Sequence, residues 1–409
     1  MSSERNYPKV IISEKCRKRI SSGHPWIYDN EITSFDEKIE NGTLADVYTE
    51  KNRFVGTGFY NSCSKIRVRL ISRNSNDRFD DAFWKRRVEY AYSYRKTVMN
   101  TEDLSCCRII FGEADFFPGL TVDRFSDILS VQILSLGIEK LRDVILPAVR
   151  DVLEADGQQI NGIFLRNDVK IRKLEGMEEE KGWYWYKGEN SPSPVTKITE
   201  NGIIYDVDVE NGQKTGFFLD QKYNRQAAAR LAKGRTVMDC CTHTGSFALN
   251  AAKGGAAHVH AVDVSSSAIE MARKNACNNG LDHIMSFETA DVFEALKSRI
   301  EAHDRSFDYI ILDPPAFTKS RKTVGNARNG YLELNTLAMR LLPRGGYLAT
   351  CSCSHFMTEK LFIEMLHEAA KAAGVSLRQI ECRQQSADHP ILMCAEETNY
   401  LKFFLFQVV

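Results

Sequence analysis

The spacing of apolar and polar positions changes twice along this 409-residue chain. Up to about residue 72, short runs such as 66–71, in which apolar and basic residues alternate, predict half-buried strands. Between residues 80 and 100 the apolar spacing becomes helical, and further strands and a helix follow. We therefore predict a small β-rich domain over residues 1–72 and an α+β domain over residues 73–190, with a turn-rich linker at 189–194.

From about residue 236 onwards, predicted strands and helices alternate. The strands are predicted over 236–241, 258–263 and 285–289, in a run ending at 313, and over 347–353. The helices are predicted over 246–253 and 266–279, from 292, and over about 331–342. This succession predicts an α/β domain over residues 191–409 with a doubly wound, Rossmann-like sheet. Such sheets bind ligands at the carboxyl ends of their strands, so candidate chemistry is expected there.

The most informative motif is the segment Asp313-Pro314-Pro315-Ala316-Phe317, which directly follows an apolar, β-branched run. Pro314 keeps Asp313 out of the helical region, and neither proline can donate a backbone hydrogen bond. The motif therefore offers one carboxylate and one flat aromatic surface at a strand end. That combination suits a nucleobase turned out of its stack. The alternative is an ordinary strand followed by a proline-rich turn.

Three successive strand ends carry residues that suit S-adenosylmethionine. The first is a glycine-containing turn that can meet a carboxylate at the helix N-terminus, and Gly245 there permits close approach of a ligand. The second carries an acid placed for a ribose hydroxyl pair, and the third an acid placed for an adenine amino group. The candidate cofactor-binding residues are Asp239, Thr242, Thr244, Gly245, Asp263, Val264, Asp291, Val292 and Asp313. Taken singly, Asp263 or Asp291 is more typical of a helix N-cap.

Cys351-Ser352-Cys353 ends a further predicted strand, on the same side of the sheet as Asp313. Carbon 5 of a pyrimidine is a poor nucleophile, and a thiolate that adds at carbon 6 converts it into an enamine-like carbon. An acid at ring nitrogen 3 would absorb the developing charge, and Asp313 is placed for that role. The alternative is a pair of buried packing cysteines.

Composition limits the partners and the compartment. Lys+Arg and Asp+Glu both number 54, so an RNA partner would have to meet local basic patches. Two patches are predicted to contact phosphates, with a solvated surface as the alternative: Lys15, Arg17, Lys18 and Arg19, and then Lys319 and Lys322. The 11 cysteines show no Cys-x-x-Cys spacing, so no metal is expected. Without a signal peptide or a spanning apolar run, we expect a cytoplasmic protein with no membrane partner.

The ordered motifs resemble the RlmI (YccW) family of large-subunit (23S) ribosomal RNA cytosine carbon-5 methyltransferases over nearly the whole chain. The matching segments are 23–28, 112–115, 118–124, 166–169, 172–176, 212–221, 386–390 and 399–402. The resemblance implies an N-terminal PUA RNA-binding domain, a class I S-adenosylmethionine-dependent methyltransferase domain and a homodimer. It also implies that the loop 212–221 lines the cofactor pocket, which adds Phe217 and Phe218 to the candidates. Cys353 is implied as the nucleophile, because the family's Ser-Cys-Ser aligns with residues 352–354.

The chain departs from the family pattern at two places. Cys351 precedes the aligned Ser-Cys-Ser, and we hypothesise that its thiol helps to expel Cys353 from the product. In the cofactor loop, Thr242, His243 and Ser246 replace more usual residues, which affects fine contacts rather than the identity of the cofactor.

The leading hypothesis is therefore a methyltransferase that makes 5-methylcytosine in large-subunit ribosomal RNA through a covalent cysteine adduct. A second hypothesis is methylation of an exocyclic base amine, since Asp-Pro-Pro-aromatic turns serve that chemistry without a thiol. A third is a non-enzymatic ribosome-assembly factor that binds RNA and keeps an unused cofactor fold. The sequence leaves open the target nucleotide, the base that removes the carbon-5 proton, and whether free RNA or a subunit particle is the substrate.

Overall fold

The computed structural model describes residues 6–36, 38–318 and 323–409. The chain forms two compact units. The first comprises Met1–Ile198, Val207–Leu219 and Ala387–Thr398, and the second comprises Thr199–Asp206, Asp220–Ser386 and Asn399–Val409. The units therefore interleave along the chain. Among the described residues, no helix combines the length and the apolar character needed to cross a bilayer.

The N-terminal sheet of the first unit has six strands in the described residues. They are β1 (Lys9–Ile12), β2 (Trp26–Tyr28), β3 (Ile32–Phe35), β4 (Leu44–Thr49), β5 (Phe54–Tyr60) and β6 (Ile66–Ser72), with the short helix α1 (Arg17–Ser21) after β1. The order is β2-β6-β5-β4-β1-β3, in which only β1 and β4 pair in parallel. Inward-facing side chains such as Val10, Val47 and Val68 form its core. The predicted β-rich character of this part of the chain is confirmed.

A second sheet in the first unit packs against helices. The elements are α2 (Asp81–Val98), β7 (Cys106–Phe111), β8 (Leu120–Phe125), β9 (Ile128–Ile133), α3 (Leu136–Lys140), α4 (Arg142–Ala155), β10 (Gly162–Asn167) and β11 (Glu180–Tyr186). The strand order is β11-β10-β9-β8-β7, with only β9 and β10 parallel. Trp84 and Val88 of α2 share a buried core with Val149 of α4 and Val131 of β9. The predicted domain boundaries at residues 72 and 190 stay predictions.

The second unit carries the doubly wound sheet. A hairpin of β12 (Val195–Glu200) and β13 (Ile203–Asp208) comes before it. The elements that follow are α5 (Lys222–Ala229), β14 (Thr236–Cys240), α6 (Ser246–Lys253), β15 (His258–Asp263), α7 (Ser266–Asn278), β16 (Met285–Thr289), α8 (Val292–Glu301), β17 (Tyr309–Leu312), α9 (Val324–Leu341), β18 (Tyr347–Ser352), α10 (Glu359–Ala373), β19 (Leu377–Arg383) and β20 (Lys402–Val408). The predicted alternation of strands and helices is confirmed.

The order of this sheet, β16-β15-β14-β17-β18-β20-β19, creates a crevice between β14 and β17. The chain moves outward from β14 through β15 to β16, and then returns to the other side of β14 at β17. All pairs from β16 to β18 are parallel, whereas β20 is antiparallel to both of its neighbours. In open α/β sheets this reversal of strand order marks the ligand crevice.

Candidate active site

The crevice brings the predicted acidic residues together. Cys240 at the end of β14 is in register with Leu312 of β17, and the Asp313 amide donates to the Cys240 carbonyl over 3.4 Å. Burial raises the pKa of the neighbouring Cys241 thiol, and four carboxylates raise it further: Asp263, Asp313, Asp239 and Asp291. All four acids at the strand ends therefore raise the pKa of one thiol. They lie close together, as the sequence predicts.

The loop between β14 and α6 has a strained backbone. Cys241 and His243 have φ angles of 63° and 51°, and Gly245 has 82°. Left-handed conformations are uncommon for residues other than glycine and cluster at ligand-binding loops. At Gly245 the predicted tight turn is present. A Cβ there would lie 3.0 Å from the Cβ of Ala272 on α7, so close packing of that helix also requires glycine.

Hydrogen bonds to the Asp239 side chain hold this loop in place. One carboxylate oxygen, Oδ2, accepts from the Thr242 hydroxyl over 2.6 Å and from the Ala248 amide over 2.9 Å. Its other oxygen, Oδ1, and the hydroxyl oxygen of Thr244 are buried without a hydrogen-bond partner among the described residues. Unpartnered buried polar atoms are costly, so a polar ligand at this loop would relieve them. The ammonium and carboxylate of an amino acid group fit that requirement.

The pKa of Asp239 is raised to about 7, chiefly by burial. Because this folded-state pKa exceeds the usual value of about 3.9, its stabilising contribution is complete below pH 4 and is lost as the pH rises through 7. Asparagine does not titrate, so Asp239→Asn should not lose stability over this range. We expect its free energy of unfolding, relative to that of the wild type, to rise by about 1–4 kcal/mol between pH 4 and 8. Urea unfolding of both proteins across this range measures the difference, and parallel pH profiles would contradict it.

Two further strand ends present the other predicted cofactor groups. Asp263 accepts from the His243 amide over 2.8 Å and from the Ser265 amide over 2.9 Å, which fixes the orientation of its carboxylate. A carboxylate has about four acceptor sites, so capacity for a hydroxyl pair is left. The Val264 side chain, which comes next, is 72% exposed, an unusual position for a large apolar group that suits a flat apolar ligand face.

Asp291 is the N-cap of α8, as its residue type alone suggests. Its Oδ1 atom accepts from the Phe293 and Glu294 amides over 2.9 and 3.2 Å, and the side chain remains exposed. Val292 lies in the hydrophobic core through its side chain, which leaves its backbone as the part that a ligand could reach. The roles of Asp263, Val264, Asp291 and Val292 in cofactor binding stay predictions.

Asp313 is held by two neighbours. Its Oδ1 atom accepts from the Gln221 amide over 3.1 Å. The Cys351 thiol is fully buried on β18 and hydrogen bonds with both Asp313 and Gln221, and burial holds the pKa of this thiol well above its usual value. The aromatic end of the same turn, Phe317, packs on the Tyr331 ring at 4.6 Å between centroids. Asp313 is thus oriented before any substrate arrives.

Cys353 follows the end of β18 and is half-buried. Close to it is the ammonium of Lys402, which donates to the carbonyls of Ser354 and Tyr400 over 2.5 and 2.8 Å. Burial lowers the pKa of Lys402 to about 8, while the charges of Cys353 and Glu359 oppose that shift. A nearby cation favours the thiolate form of a cysteine, which is the reactive form. The geometry therefore suits Cys353 to nucleophilic chemistry.

Sequence reasoning gave no role to three residues of this site: Gln221, Tyr331 and Lys402. Gln221 and Lys402 each end a segment that the family resemblance matched, but nothing in their residue types shows that they meet Asp313 and Cys353. Tyr331 is buried in α9, and its hydroxyl accepts from Ser352 over 3.1 Å. Its pKa is raised by burial, with smaller contributions from Cys353 and Asp313.

Four further predicted residues come from two other segments of the sequence. Phe217 and Phe218 belong to the first unit, where Phe217 is buried and the Lys214 ammonium lies 4.4 Å from the Phe218 ring centroid. Their predicted role in the cofactor pocket stays a prediction. Lys319 and Lys322 lie outside the described residues.

The basic run near the N-terminus divides into exposed and engaged residues. Lys15, Arg17 and Lys18 are exposed on or just before α1, and Arg17 pairs with Glu14 over 3.1 Å. Arg19 is instead half-buried and contacts both carboxylate oxygens of Glu31 over 2.6 Å. Arg19 therefore links α1 to the turn before β3, and its predicted contact with a phosphate stays a prediction.

Comparison with protein families gives two matches. Residues 10–73 match the model of a PUA-like domain, and residues 176–406 match the model of an S-adenosylmethionine-dependent methyltransferase. A ribosomal RNA large subunit methyltransferase I from Aeromonas hydrophila is 38% identical over 386 residues, which are 94% of this chain and 95% of that protein. The protein of the same name from Klebsiella pneumoniae is 35% identical over 404 residues, or 98% and 99% of the two chains.

Solved structures support the fold. A structure described as an S-adenosylmethionine-dependent methyltransferase from Streptococcus mutans matches with a TM-score of 0.81 at 22% identity, covering 98% of this chain and all of that one. A methyltransferase structure complexed with SAH matches with a TM-score of 0.82 at 22% identity and the same coverage. At this identity the likeness concerns the fold, and it agrees with the predicted Rossmann-like class.

Proposed function

The chain belongs to the ribosomal RNA large subunit methyltransferase I family, whose cofactor is S-adenosylmethionine, and we propose that it methylates carbon 5 of a cytosine in large-subunit ribosomal RNA. The observation that carries the carbon-5 proposal is the pairing of a half-buried thiol, Cys353, with an oriented carboxylate, Asp313. The charges of both groups raise the pKa values of the buried Cys351 thiol and of the Tyr331 hydroxyl, so the two groups share one crevice. An ammonium near the thiol completes the arrangement.

Each group has one role in the proposed reaction. The Cys353 thiolate forms a bond to carbon 6 of the cytosine, and the electron pair of the 5,6 double bond moves towards nitrogen 3, where Asp313 donates a proton. Carbon 5 becomes nucleophilic, and S-adenosylmethionine supplies an electrophilic methyl group to it. A general base then takes the carbon-5 proton, which restores the 5,6 double bond as the carbon–sulfur bond breaks and releases the Cys353 thiolate, and nitrogen 3 returns its proton to Asp313. Lys402 favours the thiolate at the first step and again when Cys353 leaves.

The direct test identifies the methylated nucleoside. The protein is incubated with radiolabelled S-adenosylmethionine and large-subunit ribosomal RNA that lacks modification, and the RNA is digested to nucleosides. We expect labelled 5-methylcytidine. A labelled exocyclic amine would instead support the second enzymatic hypothesis, for which the Asp-Pro-Pro-aromatic turn alone suffices. Absence of both label and S-adenosylmethionine binding would support an RNA-binding assembly factor.

Contacts to RNA outside the crevice are a further part of the proposal. Lys15, Arg17 and Lys18 present charge at the surface of the PUA-like domain, where they suit phosphate contact. Such contacts position an RNA without reading its sequence, so removing one should weaken binding similarly for all RNAs. Phe217 and Phe218 are proposed to line the cofactor pocket, as the resemblance implies, and the protein is proposed to form a homodimer.

Variants of Cys351 separate two roles for its buried thiol. As a hydrogen-bond donor to Asp313, it is replaceable by a hydroxyl, so we expect Cys351→Ser to keep the single-turnover rate within about threefold. Cys351→Ala leaves the carboxylate without that donor and should lower the rate about 10- to 100-fold. Rapid-quench measurements with saturating RNA and cofactor give both rates. If the serine variant instead accumulates a covalent protein–RNA adduct, the hypothesis that Cys351 expels Cys353 is supported.

A further inference from the structure

A cleft of about 530 Å³ opens in the first unit, along one face of α2. Arg86, Tyr90 and Tyr94 line it at successive helical turns, so their side chains share that face. Phe116, in the turn after β7, and Pro390, in a segment that belongs to the same unit, complete the walls. Its volume lies in the range of small-ligand sites. The methylation chemistry proposed above uses none of these residues.

Three aromatic rings stand exposed around this cleft. Tyr90 is 66% exposed, Phe116 48% and Tyr94 38%. Large aromatic side chains dominate core and interface energetics, so three exposed rings around one cavity indicate a binding surface. The helix does not need them for its own packing, because Trp84, Val88 and Tyr92 face the core instead.

The backbone holds Phe116 in a strained position. Its φ angle is 60°, a left-handed conformation that is a genuine outlier for a bulky side chain. The strain persists because its amide donates to the Glu113 carbonyl over 3.1 Å, and its own carbonyl accepts from Arg87 over 3.0 Å. Strain of this kind clusters at ligand sites, since a relaxed residue such as glycine would serve an ordinary turn better.

Guanidinium groups accompany the rings. The Arg87 guanidinium lies 4.6 Å from the Phe83 ring centroid and 5.4 Å from that of Phe116, while Arg86 is exposed at the rim. Two carboxylates also face the cleft, but both have partners. Asp115 forms a double contact of 2.6 and 2.7 Å with the buried Arg95, and Asp77 accepts from Ser72 over 2.5 Å. Two guanidinium groups and two carboxylates line the cleft, so their formal charges balance, and Arg86 is the exposed cation at the rim.

Two segments that the sequence singled out anchor the floor of the cleft. Asp115 ends the segment 112–115, and Asp388 belongs to the segment 386–390. Arg95 joins them, because it binds the Asp115 carboxylate and also donates to the Asp388 carbonyl over 2.9 Å. The Asp388 side chain in turn accepts from the Arg108 amide over 2.8 Å. The cleft is therefore preformed by charged groups that are themselves satisfied.

We propose that this cleft binds an unstacked base of the single-stranded RNA substrate, stacked on Tyr90 and Phe116, with a neighbouring phosphate at Arg86. The proposal rests on ribosomal RNA being the substrate. Every base has a flat π face, and unstacked RNA bases are bound by aromatic rings and guanidinium planes. An apolar protein surface would make little use of the guanidinium groups, and a strong phosphate site would carry net positive charge, whereas the charges of this lining balance.

Binding of an unmodified, fluorescently labelled large-subunit ribosomal RNA fragment tests the proposal by anisotropy. We expect Tyr90→Ala to weaken binding about 5- to 100-fold, while Tyr90→Phe, which keeps the ring, binds like the wild type. Arg86→Ala should lower the slope of log affinity against log salt by about one. Glu89→Ala, exposed on the same helix but outside the cleft, is the matched control. Phe116→Gly should weaken binding without lowering the melting temperature.

The outcomes distinguish this proposal from the proposed function. If the wild type methylates the RNA and Tyr90→Ala binds it equally well, the cleft proposal is overturned and the function stands. If the wild type neither binds nor methylates the RNA, both are overturned together. If Tyr90→Ala halves the mass of the particle in solution and weakens binding only through that change, the cleft is a subunit contact and not an RNA site.

Discussion

Replacing Cys353 by alanine is expected to reduce methyl transfer at least about 10³-fold. Without a thiolate at carbon 6, carbon 5 of cytosine stays a poor nucleophile, and no other described side chain in the crevice takes over that role. Two other thiols lie in the crevice, Cys351 and Cys241, and burial holds the pKa of each above its usual value. Single-turnover transfer of radiolabel to RNA measures the rate.

A covalent adduct gives an independent measure of the same step. With RNA that contains 5-fluorocytidine, carbon 5 carries fluorine in place of the proton that must leave, so the carbon–sulfur bond cannot break and the adduct accumulates. We expect the wild type to form this adduct and Cys353→Ala to form none. S-adenosylmethionine binding, measured by calorimetry, is the control and should be unchanged. A Cys353→Ala protein that retains methyl transfer would contradict the covalent mechanism and favour amine methylation.

Much of the site could be predicted because its residues lie at the ends of strands that the sequence marks clearly. The run before Asp313 and the strand ending at Asp263 are apolar and β-branched, and both are bounded by polar or proline residues. Once these strands lie parallel on either side of β14, their carboxyl ends must meet at one edge of the sheet. The convergence of four carboxylates on Cys241 follows from that geometry.

The contacts that could not be predicted join residues far apart in sequence. Gln221 donates to Asp313 across 92 positions, and Lys402 donates to the Ser354 carbonyl across 48. No periodicity encodes such pairs, and the Lys402 contact in particular depends on how β20 returns between β18 and β19. That strand has a continuous apolar run, a pattern that is equally typical of a buried helix segment. Its antiparallel direction follows from the path of the preceding chain.

Helix α9 shows how local signals mislead at an element's start. The sequence predicted a helix from about Tyr331, where large apolar residues begin, yet the helix starts at Val324. Its first turns are rich in glycine and asparagine, which are poor indicators of a helix. Tertiary packing supplies what propensity lacks, because Ala327 and Tyr331 are both buried.

Asp313→Asn is expected to lower the single-turnover rate about 10²- to 10⁴-fold, the usual contribution of a positioned general acid. An amide has nearly the shape of the carboxylic acid and can still contact Gln221, but it cannot give a proton to nitrogen 3 and receive it back. The developing charge on the ring is then left without its partner, so Cys353 adds to carbon 6 rarely. The trapped adduct with 5-fluorocytidine RNA should form more slowly by a similar factor.

The role of Asp313 is decided by whether Asp313→Asn lowers the reaction rate or the affinity for the cofactor. If the carboxylate acts on the base, Asp313→Asn lowers the rate at saturating S-adenosylmethionine, and the affinity for the cofactor changes by less than about tenfold. If Asp313 mainly holds the cofactor, the affinity falls steeply and the rate recovers at high cofactor concentration. Asp291→Asn serves as the matched control, since that acid caps α8 and has no place in the proton transfer. Under the prediction that Asp291 meets the adenine amino group, its effect should fall on cofactor affinity alone.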